Sequence, residues 1–100
     1  MYKLNQNETP LFDALMEYVD RDTIPFHVPG HKKGVGADAE FKKFIGDNPF
    51  KIDVTVFKLV DSLHHPTGPI LEAQALAADA YGADATFFSL HGTSGALPAL

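Results

Sequence analysis

The sequence predicts an α/β chain, and three features carry that prediction: an amphipathic repeat over 10–20, an Ala- and Leu-rich stretch at 69–81, and two short apolar runs of strand character at 51–57 and 85–90. The 100 residues fit one small domain, and 45% hydrophobic with 21% charged residues is an ordinary globular composition. Two strand candidates are too few to make a parallel sheet, which needs crossovers and covering helices. The predicted architecture is therefore incomplete on its own.

Taken in order, Thr9-Pro10 sets a capping residue before a proline tolerated at the first helical position. Leu11, Phe12, Leu15, Met16 and Val19 then recur at helical spacing. Pro25 and Pro29 forbid continuation, so "IPFHVPGHKKGVG" is an extended loop that turns at Pro29-Gly30. Asp38 suits the N-cap of a second helix carrying Phe41, Phe44 and Ile45, with Gly46 at its end and Pro49 as its stop. "KIDVTVF" alternates Ile52, Val54 and Val56 with Asp53 and Thr55, the period of a half-buried strand. "DSLHHPTGP" reads as an ordered loop. Pro69 opens the helix "PILEAQALAADAY", which Gly82 closes, and "ATFFSL" follows as a buried strand.

Composition narrows the function classes. The formal charge of −5 argues against a nucleic-acid partner, which would need clustered Lys and Arg. The basic pairs Lys32-Lys33 and Lys42-Lys43 read as solvated faces. No apolar stretch approaches the roughly 20 residues of a bilayer span, and the N-terminus lacks a signal pattern. A soluble, cytoplasmic protein without membrane association is expected. The absence of cysteine excludes disulfides and thiolate metal sites and agrees with a reducing compartment.

"SLHGTSGALPAL" places Gly92, Thr93, Ser94 and Gly95 between a strand candidate and a helix start, which Pro98 restricts to near Gly95. The first N–H groups of a helix lack intrahelical partners, and the helix dipole favours negative charge there. Glycines allow close approach, and hydroxyls add donors. The same residues also make an ordinary capped turn, and both readings stand at this level. His27 and His31 flank Pro29-Gly30 and so do not share a helical face, and His64-His65 point apart. They read as loop histidines that bond backbone or touch a ligand, and no metal site is expected.

The order of four segments adds more. "FHVPGHKKG", "DSLHHPTGPILEAQ", "AADAYGAD" and "TFFSLHGTSGA" resemble successive N-terminal motifs of the Orn/Lys/Arg decarboxylases, pyridoxal-phosphate enzymes of the aminotransferase-like fold (fold type I). The resemblance implies decarboxylation of arginine, lysine or ornithine to the amine in polyamine-related metabolism, with the cofactor as electron sink. It implies that Thr93 and Ser94 hold the cofactor phosphate while Gly92 and Gly95 shape the backbone. It further implies a homodimer or higher homo-oligomer, with 1–60 as N-terminal arm and loops and 61–100 as the start of the cofactor domain. No catalytic residue is assigned here, because the family's Schiff-base lysine belongs to a Ser-x-His-Lys motif absent from this sequence, as is a recognisable acidic partner for the ring nitrogen. Lys32 follows a histidine only in "GHKK". His91 departs from the Asn, Gln or small residue of the family pattern. The chain is therefore expected to be the N-terminal portion of a longer enzyme and inactive alone. The competing reading is a non-catalytic fragment or interaction module that docks on a full-length homologue through exposed apolar faces.

Overall fold

Helix α1 runs Pro10–Arg21, but Thr9 does not cap it through its side chain. Its hydroxyl donates to Asp13 Oδ1 at 2.9 Å instead. The structure is a computed structural model that describes residues 1–99. Leu100, the end of the "GALPAL" segment, lies outside the described residues. The face of α1 that is buried centres on Ala14 and Tyr18, with Leu11 and Leu15 half-buried beside them. Phe12 from the predicted stripe remains 59% exposed.

Two short helices follow the proline loop. Asp38 caps α2, Ala39–Ile45, by accepting the Phe41 N–H at 3.0 Å, as the sequence predicts. Gly46 ends α2 before Pro49, as predicted, but Pro49 also belongs to a further helical turn that the sequence does not foretell. It sits in the first turn of α3, Asn48–Lys51, where its missing N–H removes nothing. That turn buries Phe50 against His31, ring centroids 5.2 Å apart, and against Gly34. A Cβ on Gly34, whose φ is +94°, would stand 3.1 Å from the Phe50 side chain.

Helix α4, Pro69–Tyr81, packs on α1 and ends at the left-handed Gly82 as predicted. Its inward face is Ile70, Gln74 and Ala78. The N-terminal segment is hooked to the same helix: Lys3 N and Leu4 N donate to the Asp79 carboxylate at 2.9 and 2.8 Å. Gln6 Nε2 adds bonds to Leu76 O and Asp79.

The predicted strands do not form. Among the described residues the only ladder pairing is an isolated bridge between Phe57 and Asp61, so Lys51 closes α3, residues 52–57 and 85–90 are loops, and no α/β sheet is present. A strand's N–H and C=O groups need a neighbouring strand, and no ladder joins these two segments among the described residues. The apolar core is correspondingly thin: Ala14, Tyr18, Phe50, Val60, Ile70 and Ala78. The Cα radius of gyration is 16.1 Å, against about 13 Å for a compact domain of this length.

Candidate functional site

Beyond Gly82 the chain runs without regular structure and is tied back to α4 by Gln74, whose Oε1 accepts the Phe88 N–H at 3.0 Å. The Ser89 hydroxyl then donates to Gly92 O at 2.7 Å. Gly92, with φ +60°, turns the chain, and helix α5 occupies Gly92–Ala96. The helix thus begins at the glycine-threonine-serine turn itself, three residues before the expected start near Gly95. Pro98 limits its length rather than its start: lacking an N–H, it cannot continue the helical ladder, and a single 3₁₀ turn, Leu97–Ala99, follows.

The geometry distinguishes the two glycines. Gly92 is required by its left-handed backbone. Gly95 is required by space, because a Cβ there would stand 2.7 Å from His91 Cβ and 3.2 Å from Ser89 Oγ. His91 accordingly packs against the turn. Gly92, Thr93 and Ser94 lie in the first turn of α5, where N–H groups have no carbonyl to meet within the helix, and all three residues are exposed. There is no carboxylate between 85 and 99. Backbone donors, two hydroxyls and the absence of negative charge fit a phosphate dianion.

The loops predicted alongside this turn are held by other means. Asp61 Oδ1 accepts Ser62 N–H at 2.8 Å and Thr67 N–H at 3.0 Å, while Oδ2 accepts Gly68 N–H at 2.7 Å and Ile70 N–H at 3.2 Å. Burial pushes this carboxyl up, but the N–H groups of Thr67, Ser62, Gly68 and Ile70 outweigh it and hold the group well below the usual carboxylate range. The N–H groups of Leu4 and Lys3 lower Asp79 in the same way, against a smaller opposing effect of burial. His64 and His65 project exposed from the loop that Asp61 gathers.

His27 and His31 serve separate contacts. His27 Nδ1 donates to Val28 O at 2.6 Å, so its Nε2 accepts from the Tyr18 hydroxyl at 3.0 Å. Gly34 N–H donates to His31 Nδ1 at 3.1 Å, leaving Nε2 to donate to Asp53 at 2.9 Å. Lys32 and Lys33 donate to the carbonyls of His27 and Thr23, and Lys42 lies 3.6 Å from Asp47. Among the described residues no group of His, Asp or Glu is arranged to hold a metal ion.

These four motif segments, in this order, also have a match. The family model for "Orn/Lys/Arg decarboxylase, major domain" matches residues 9–100. The chain belongs to the Orn/Lys/Arg decarboxylase family. It is 60% identical over 97 residues to an arginine decarboxylase of Bacillus anthracis, covering 97% of this chain and 20% of that protein. It is 40% identical over 92 residues to a lysine decarboxylase of Pseudomonas aeruginosa, covering 85% and 12%. With the constitutive ornithine decarboxylase of Escherichia coli it shares 38% over 94 residues, 87% and 13%. The chain thus spans about a fifth or less of the length of these curated relatives. The match to this decarboxylase domain begins at Thr9, the residue before α1, and takes in α4 and the Gly92–Gly95 turn.

Sequence reasoning missed Asp61, Gln74 and Asp79 as organising residues. Gln74 left a signal: it is the one polar side chain in the buried stripe Ile70, Gln74, Ala78. Asp79 left none, because its partners lie more than 70 positions away.

Proposed function

We propose that this sequence acts within a pyridoxal-phosphate-dependent decarboxylase of arginine, lysine or ornithine, where Gly92, Thr93, Ser94 and Gly95 hold the cofactor phosphate. The observation that carries this reading is the turn at the start of α5, with exposed donors and no Asp or Glu in the sequence from 85 to 99, in a chain of this family. Bound there, the cofactor supplies the electron sink for loss of the α-carboxylate as carbon dioxide. The chain's own contribution is position. Thr93 and Ser94 donate to the phosphate, Gly92 turns the backbone toward it, and Gly95 leaves room for His91. In this reading 61–100 opens the cofactor domain of an aminotransferase-like α/β fold, and 1–60 forms an arm and loops. The lysine that holds the cofactor belongs to the remainder of a chain of the relatives' length. That remainder and a second subunit of a cytoplasmic homo-oligomer cover the exposed side chains of Phe12, Phe44 and Phe87.

The test is cofactor titration of the full-length enzyme. Thr93→Ala and Ser94→Ala should each weaken binding by about 1.5 to 3 kcal/mol, the worth of a hydrogen bond to a charged group. His31→Ala, remote in sequence and engaged with Asp53, should leave affinity nearly unchanged. The reverse order would refute the placement of the phosphate.

A further inference from the structure

Gln74 is a polar residue on the buried face of a helix. It is only 6% exposed, on the inward face of α4 between Ile70 and Ala78. Its Oε1 meets the Phe88 N–H at 3.0 Å, a bond that requires the amide oxygen at that place. The segment it reaches has little else to fix it. Phe87 is 83% exposed, and an open cleft of about 300 Å³ separates Ala85, Thr86 and Phe87 from Leu71, Gln74 and Ala78. From Phe88 the chain needs only Ser89, Leu90 and His91 to reach Gly92, and the Ser89 hydroxyl is bonded to Gly92 O. Across so short a connector, a displacement at Phe88 is carried toward the turn.

We propose that Gln74 is a positioning residue for anion recognition: by accepting the Phe88 N–H from a buried site on α4, its amide oxygen sets where Gly92, Thr93 and Ser94 present their donors. The inference rests on the reading that this turn holds the cofactor phosphate. It adds that the recognition site depends on a side chain fourteen positions upstream of Phe88.

The test compares two ligands on the full-length apoenzyme, pyridoxal phosphate and pyridoxal, which lacks the phosphate. The dissociation constant of pyridoxal divided by that of pyridoxal phosphate measures phosphate discrimination and is insensitive to general loosening of the protein. Gln74→Leu should lower that ratio about tenfold while pyridoxal binding stays within about twofold. Gln74→Met, which keeps the length without the acceptor, should do the same if the leucine variant does not fold. Unchanged discrimination in Gln74→Leu and Gln74→Met, or equal weakening of both ligands, overturns the proposal. The double variant Thr93→Ala, Ser94→Ala separates the two levels. If it keeps full discrimination, the phosphate reading itself fails, whereas if it loses discrimination and Gln74→Leu does not, only the role of Gln74 fails.

Discussion

Residues 61–83 and 85–99 are both rich in apolar side chains, yet only the first stretch is ordered around buried residues. Ile70, Gln74 and Ala78 are buried in α4, whereas nothing from Ala85 to Ala99 is. The difference lies in where the backbone finds its partners. A helix satisfies its own N–H and C=O groups, and Asp61 gathers the donors that α4 and its preceding loop leave over. An extended segment satisfies none of its own, so 85–90 waits on neighbours and holds to α4 through one side chain. Local order here follows polar closure more than apolar content.

The largest effect expected from this contrast is on the isolated 100-residue chain. Each large apolar side chain left in water forfeits roughly 1.5 to 3 kcal/mol, against a total domain stability of about 5 to 15 kcal/mol. Phe26, Phe44 and Phe87 are all more than four-fifths exposed, at 91, 88 and 83%. The purified chain should keep the helical signal of α4, bind apolar dye, show no sharp melt, and release no carbon dioxide from arginine, lysine or ornithine. A single two-state transition with dispersed amide resonances would break the comparison and move weight to the interaction-module reading.

Acid should sharpen it. Asp61 and Asp79 both have folded values lowered below the ordinary carboxylate range, and both brace α4. A lowered folded value means that the stabilisation is present in full above the unfolded pKa, about 3.9, and drains away as pH falls through the folded value. Helical signal from α4 should therefore hold from pH 7 to about 5 and decline below about 4. In Asp61→Asn the amides of Ser62, Thr67, Gly68 and Ile70 should exchange at least about tenfold faster at neutral pH, with a smaller acid-dependent decline. Equal exchange in parent and variant would show that the loop is held by something other than this carboxylate.

What the sequence revealed divides along the same line. Helices α1, α2 and α4 were legible because their signals are local: proline at the first turn, aspartate before α2, glycine after α4. The turn at Gly92–Gly95 was legible for the same reason, though its helix begins earlier than Pro98 suggested. The strands were misread because alternation and apolar runs mark what a segment can join, while joining requires partners these residues do not supply. The Asp79 hook on Lys3 and Leu4 was invisible, since an exposed-looking aspartate near a helix end does not announce a distant partner.

The smallest effect concerns α2, where closure is polar but packing is nearly absent. Asp38 Oδ2 accepts the Phe41 N–H at 3.0 Å, yet no residue of Ala39–Ile45 is buried and Phe44 stands 88% exposed. If polar closure governs local order, the cap matters even without a core beneath it. Asp38→Ala should destabilise α2 by about 1 kcal/mol, within the usual 0.5 to 2 range for an N-cap, because the Phe41 N–H loses its acceptor. Asp38→Asn keeps an acceptor and should cost no more than a few tenths of a kcal/mol. Amide exchange at Phe41, compared between the two variants, reads this directly. Equal protection in both would mean that α2 is held from its other end, where Gly46 N–H donates to Lys42 O at 2.8 Å, and would confine the rule to helices such as α4 that also have a buried face.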